Sequence, residues 1–196
     1  MYLIPKYATG NVLDIGAGRA KYRSFIEPRV GSYTTSDIDP SVGVHVVADA
    51  AHLSVADAAF DTVLSFELLE HVPDPNAVVS EMYRVLKKGG RAIVTVPFLI
   101  PQHADPSDYQ RYTVQGLRIL FEKSGFKVLE CAGYGSIFAV ISEGLKFIFL
   151  NPYKKSSSRI TRSAVGRLCR FLSMLDRKRI AHNPDFYVNT YIVAQK

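Results

Sequence analysis

The stretch Asn11-Val-Leu-Asp14-Ile-Gly16-Ala-Gly18 constrains this chain most: a short apolar strand runs into a turn carrying two glycines. Glycines there let the backbone approach a ligand closely, and a helix that follows presents free N–H groups. The first two-thirds of the sequence keeps alternating in this way. Residues 32–36, 44–47, 60–66, 91–96 and 126–131 read as further strands, and residues 19–27 as a short helix. Residues 74–87 carry Ala77, Val78, Met82, Val85 and Leu86 at helical spacing, with Gly89-Gly90 as the stop. Thr113 can cap a helix running to Ser124, with Gly125 at its end, and residues 187–194 form a seventh strand. Strands separated by helices predict an α/β fold with a parallel sheet wound on both faces. The last two strands can pair as a hairpin interrupted by residues 136–183.

A chain of 196 residues that is 47% hydrophobic builds a core without disulfides or a structural metal. No 20-residue apolar run is present to span a bilayer. Two cysteines, Cys131 and Cys169, form no disulfide framework, and five scattered histidines show no ligand pattern, so no metal is expected. The first residues lack the apolar core of a signal peptide, which makes the cytoplasm the expected compartment. The net charge of +6 is unevenly placed: residues 151–182 hold nine Lys or Arg and one acid, while the other residues hold 15 basic and 17 acidic groups. A slightly acidic domain therefore carries one strongly basic segment.

Three carboxylates follow successive strands, along the edge where open α/β sheets bind ligands. Asp37, 19 residues after Gly18, is placed to accept two hydrogen bonds from a ribose diol. Asp39 lies one step into the loop and is the weaker candidate. Asp49 beside the Ala50 amide can read an adenine edge, with Leu53 packing on the base. Each Asp taken singly also reads as a turn or cap residue. Lys21 stands where a dinucleotide fingerprint wants its third glycine, which argues against a dehydrogenase.

The ordered motifs Val12–Gly18, Asp37-Ile-Asp39, Ala48-Asp-Ala50, Phe60–Val72 and Arg84–Gly90 resemble those of class I S-adenosylmethionine-dependent methyltransferases, most closely the type 11 subgroup. The resemblance covers residues 9–135 and the last strand. It implies a Rossmann-like, seven-stranded, mostly parallel sheet with a reversed last strand, helices on both faces, and a helical insertion before that strand. Residues 1–196 would then be one methyltransferase domain, using S-adenosylmethionine and releasing S-adenosylhomocysteine. It further implies that Gly16, Ala17 and Gly18 face the methionine part of the cofactor, and that Asp14 orders this loop or meets the cofactor's amino group. Asp37 would hold the ribose with Ile38 beside it, Asp49 and Ala50 would read the adenine, and Phe66 and Glu67 would line the pocket. The helix that usually precedes the first strand is nearly absent.

Methyl transfer from a sulfonium needs alignment and exclusion of water more than a catalytic triad. The loop His103-Ala-Asp-Pro-Ser-Asp108-Tyr-Gln-Arg111-Tyr-Thr113 is the acceptor-side candidate, and it resembles a pattern in a type 11 branch linked to saccharide and cell-surface biosynthesis. His103 would act as general base, with Tyr109 and Arg111 binding a hydroxyl or an anion. The alternative is an Asp108–Arg111 pair that only pins the loop. His71 reads either as a helix-start residue or as an acceptor contact. The expected acceptor is a small molecule or a saccharide- or lipid-linked one, methylated at oxygen.

Within the insertion, Ile160, Ala164, Leu168, Phe171, Leu172 and Leu175 cluster on one helical face, and Arg159, Arg162, Arg167 and Arg170 on the other. A lid packing its apolar face on the domain is the first reading. Peripheral contact with an anionic membrane or a lipid-linked substrate is the second. Nucleic-acid binding is disfavoured by the scarcity of aromatics, as is a tRNA substrate by the lack of a separate RNA-binding domain. The competing functional class is a noncatalytic module that keeps the fold and works through the basic helix.

Overall fold

The computed structural model describes residues 2–102, 107–150, 158–178 and 186–196. Its elements are α1 (Leu3–Tyr7), β1 (Asn11–Ile15), α2 (Arg23–Ile26), β2 (Ser32–Asp37), β3 (Val46–Val47), β4 (Phe60–Phe66) and α3 (Pro75–Val85). Then come β5 (Leu86–Pro97), α4 (Val114–Lys123), β6 (Lys127–Tyr134), α5 (Ile137–Phe149), α6 (Arg159–Lys178) and β7 (Asn189–Gln195). The sheet order is β3-β2-β1-β4-β5-β7-β6. β7 runs antiparallel to both neighbours, while the pairs among β1 to β5 are parallel. The carboxyl ends of the first six strands therefore share one edge, the edge of the glycine turn.

Period-two alternation explains why the sheet is covered on both sides. Leu13 and Ile15 of β1 join Val63, Ala92, Val94, Ile192 and Ala194 in one core, closed by α3 and α4 through Met82, Val85, Leu117 and Phe121. Val12 joins Leu64, Ile93, Tyr191 and Val193 in the other, closed by the short helices α1 and α2 through Ile4 and Ile26. A strand buried on both faces belongs at the centre of such a sheet.

Three element boundaries move from expectation for local reasons. The helix expected over 19–27 shrinks to Arg23–Ile26, because Gly16, Gly18 and Ala20 take positive φ and prolong the turn. The helix expected over 74–87 runs from Pro75 to Val85, capped by Asp74, whose carboxylate accepts from the Asn76 and Ala77 amides. Leu86 already pairs with Phe60, so Gly89-Gly90 sit in a bulge of β5 instead of ending a helix. The strand expected over 44–47 keeps only Val46 and Val47, since the His45 ring accepts from the Thr35 amide at 3.0 Å.

The apolar stripe of α6 packs only in part, with Leu172 and Leu175 half-buried. The buried side chains of the helix are Val165 and Cys169, with Cys169 Sγ 3.7 Å from the Ser142 carbonyl of α5. Of the apolar stripe read from the sequence, Ile160, Leu168 and Phe171 are exposed. Helical periodicity locates where apolar residues concentrate, and here the smaller Val165 and Cys169 make the packed face.

Glu130 of β6 anchors the amino terminus. It accepts from Tyr2 Oη at 3.0 Å, Tyr191 Oη at 2.6 Å, Tyr7 Oη at 2.6 Å and Lys6 Nζ at 3.0 Å. Burial raises its pKa, but these four donors outweigh burial and hold it down to about 2. Glu130→Ala leaves the donors without their acceptor and should cost about 1–3 kcal/mol at neutral pH, read by urea unfolding. A depressed carboxylate stabilises above its unfolded value near 4.5 and ceases to as pH falls toward about 2. The gap between wild type and variant should therefore close over that interval.

Candidate active site

The glycine turn is built around the end of β2. The Gly16 and Ala17 amides both donate to the Ser36 carbonyl, at 2.9 and 3.0 Å. The Gly18 amide donates to Asp37 Oδ2 at 2.8 Å, and the Asp39 amide to Asp37 Oδ1 at 3.0 Å. Gly16 and Gly18 have φ of +69° and +51°, a region that favours glycine. A Cβ on Gly16 would come within 2.7 Å of Leu68, whereas a Cβ on Gly18 would meet nothing within 4 Å. The turn is thus packed beneath Gly16 and open above Gly18, leaving a cradle for a ligand.

Asp14 is buried, and Tyr33 Oη donates to its Oδ2 at 2.5 Å. Burial pushes its carboxyl up to about 7; the tyrosine opposes the shift and the Asp37 charge adds to it. Asp39 caps the following 3-10 turn through Ser41. Ile38 is 69% exposed, an apolar side chain presented at the edge. Asp49 is exposed, with Oδ1 accepting from the Ala51 amide, and Ala50 is buried beside it. Leu53 lies in the same core cluster as Ala50. Arg84 fixes that loop, bonding Glu81, Asp57 at 2.5 Å, and the Val55 and Leu53 carbonyls.

Phe66 is half-buried and meets Tyr22 edge-on at 5.7 Å. Glu67 takes φ +54°, and its Oε1 accepts from Thr95 Oγ1 at 2.7 Å and Asn189 Nδ2 at 3.0 Å. A non-glycine residue in this region is held there by its surroundings. Here the Thr95 carbonyl takes the Glu67 amide at 2.9 Å, completing the clamp.

The acceptor-side loop is bolted to residues 69–72. The Tyr109 amide donates to the Glu70 carbonyl at 2.8 Å, and Gln110 Nε2 to the Leu69 and Val72 carbonyls at 3.0 Å each. His71 Nδ1 meets the Ser107 carbonyl. Arg111 forms a two-pronged pair with Asp108, whose side chain is only 2% exposed, so the pair expected of the pinning alternative is present. Tyr109 is exposed, and Ile100, Gln102, Tyr109, Gln110 and Arg111 line an open cleft of about 340 Å³. His103 lies outside the described residues. Thr113 caps α4 through the Gly116 amide, as expected.

Sequence reading missed Glu70, Gln110, Thr95 and Asn189. The Glu70 side chain has no solvent exposure, and among the described residues no hydrogen bond reaches either carboxyl oxygen; His71 Nε2 lies 3.6 Å from its Oε1. Burial pushes it up to about 8, against its own backbone amide and aided by the Glu67 charge. Only the apolar Leu68-Leu69 before it hints at burial. A raised acid makes the folded state hold the extra proton between about 4.5 and about 8, so stability falls as pH rises through that interval. Glu70→Gln, which cannot ionise, should flatten this fall, raising Tm at high pH by ~2–4 °C per ~1 kcal/mol recovered. Parallel Tm–pH curves for the two proteins would contradict the assignment.

A family model described as "Methyltransferase domain" matches residues 13–94. A "Probable S-adenosylmethionine-dependent methyltransferase" of Mycolicibacterium smegmatis is 28% identical over 147 residues, covering 67% of this chain and 57% of that protein. A "Ubiquinone biosynthesis O-methyltransferase" of Xanthomonas euvesicatoria is 32% identical over 103 residues, covering 45% of this chain and 43% of that protein. The chain thus spans about half the length of these curated relatives. The crystal structure of a SAM dependent methyltransferase from Archaeoglobus fulgidus matches the fold with a TM-score of 0.64 at 19% identity, over 100% of this chain and 90% of that one. The strand order agrees with the fold of that solved methyltransferase, and the motif series from Val12 to Gly90 falls almost wholly within the residues that match the methyltransferase domain.

Proposed function

We propose that this chain transfers a methyl group from S-adenosylmethionine to a small-molecule or saccharide- or lipid-linked acceptor, at an acceptor oxygen. The observation that carries the reading is the open cradle above Gly18, whose amide is fixed by Asp37 at 2.8 Å. Bound S-adenosylmethionine supplies an electrophilic methyl on sulfur and leaves as S-adenosylhomocysteine. The Gly16–Gly18 backbone lets the methionine part come close. Each Asp37 oxygen accepts one backbone donor and keeps a lone pair for a ribose hydroxyl. Asp49 Oδ2 and the Ala50 amide suit an adenine edge, with the exposed Ile38 alongside. Phe66 and Glu67 close the wall.

On the acceptor side, His103 takes the proton of the acceptor hydroxyl, and Tyr109 faces the acceptor from the cleft. Asp108 neutralises and orients Arg111, so Arg111 contributes shape and its remaining N–H groups instead of a free charge. Oxygen as the target draws support from the similarity to an O-methyltransferase. A cytoplasmic site of action draws support from the two free thiols. The exposed apolar stripe of α6 favours one second reading, a noncatalytic module working through that helix.

Calorimetry with S-adenosylhomocysteine separates the two. The enzyme reading predicts binding that Asp37→Asn weakens by roughly tenfold or more, the cost of two charge-assisted hydrogen bonds. Gly16→Val should abolish it, since the new side chain meets Leu68 at a positive φ. Circular dichroism of both variants checks the fold. A wild-type protein that binds no S-adenosylhomocysteine would sink the enzyme reading.

A further inference from the structure

α6 has a packed face, an apolar exposed face and a basic flank. Val165 and Cys169 are turned to α5, yet Ile160 is 81% exposed, and Leu168, Phe171 and Met174 are about half exposed. At 100° per residue, Ile160, Leu168 and Phe171 fall within about 80° of arc and Met174 lies about 40° beyond Ile160; Arg167 stands between Met174 and Ile160, and Arg170 and Arg159 follow on the side away from Val165 and Cys169. Arg159, Arg162, Arg167 and Arg170 are exposed, and among the described residues none of them pairs with an acid. The single acid of α6, Asp176, accepts instead from the Ser136 amide at 2.8 Å, at the start of α5. α5 adds a stripe of its own, with Ile137, Ile141 and Ile148 exposed within about 40° of arc. The strand leading into α5, β6, ends at the sheet edge that carries the glycine turn, and β7 begins there.

We infer that the α5–α6 pair is a membrane-interface device: it lays the Ile160–Leu168–Phe171–Met174 stripe into the surface of an anionic bilayer, with the arginines on the lipid headgroups. Charge complementarity selects this occupant. An exposed apolar stripe bordered by one sign of charge is what an interfacial helix needs, because apolar burial and headgroup attraction then act together. A second copy paired face to face would set arginines against arginines. Nucleic acid wants aromatic platforms, and the stripe holds only Phe171. No helix among the described residues is long and apolar enough to cross a membrane, so the contact is peripheral. The docking holds whether or not the chain transfers methyl groups.

The test is co-sedimentation of the full chain with vesicles of phosphatidylcholine alone and of phosphatidylcholine with about a third phosphatidylglycerol. At about 0.1 M salt the anionic vesicles should bind at least about tenfold more tightly than the neutral ones, and at about 0.5 M salt the difference should largely vanish. Arg167→Glu with Arg170→Glu should remove the anionic preference, and Leu168→Ser with Phe171→Ser should weaken binding at both salts. All four positions are exposed, and unchanged thermal melting verifies the variants; the lipid and salt dependence of the wild type stands without them. Three results overturn the inference: no preference for anionic vesicles, wild-type-like vesicle binding by both double variants, or the same substitutions dissolving a dimer or an RNA complex while vesicles stay unbound.

Discussion

The hydrogen bond from the Gly18 amide to Asp37 ties the carboxyl ends of β1 and β2 into one edge, and the candidate site depends on it. The Ser36 carbonyl holds the Gly16 and Ala17 amides, and Asp37 supplies the acceptor that fixes Gly18. The bond needs both residues: glycine for the backbone shape, and a carboxylate short enough to reach it from the end of the neighbouring strand. The parallel pairing of β1 with β2, from Asn11 against Ser32 to Ile15 against Ser36, sets the register that brings them together.

The other half of the edge is assembled by a different kind of contact. Main-chain carbonyls at 69–72 take the Tyr109 amide and the Gln110 side chain, and the Asp108–Arg111 pair stiffens the approach to α4. Glu70 lies beneath that junction as a carboxyl kept protonated by burial. A buried acid without donors is costly when ionised, so it makes the junction sensitive to pH in a way a glutamine would not. Asp14 under the glycine turn is also raised by burial, but there Tyr33 Oη donates to it and opposes the shift.

The legible parts of the fold are those whose sequence signals act directly. β1 and β4 fall on the expected residues because apolar runs ended by turn residues mark strands. Asp37 and Asp39 could be ranked from their distance to the strand end, and the structure gives the first to the glycine turn and the second to a cap. The surroundings of Leu53 and of the α6 stripe are not legible for one shared reason: apolar character says that a residue prefers company, not which surface provides it. Gln110 and Asn189 leave no trace in a single sequence, because their work is to satisfy main-chain and carboxylate groups brought near only by the fold.

The central claim is that the edge from Gly16 to Glu67 receives the cofactor. Its most direct test is a ¹⁵N–¹H spectrum of the full chain titrated with S-adenosylhomocysteine. The account predicts that the amides of Gly16, Ala17, Gly18, Ile38, Ala50 and Glu67 shift together along one saturating curve, while those of α5 and α6 stay in place. Shifts confined to α5 and α6, or none anywhere, would contradict it.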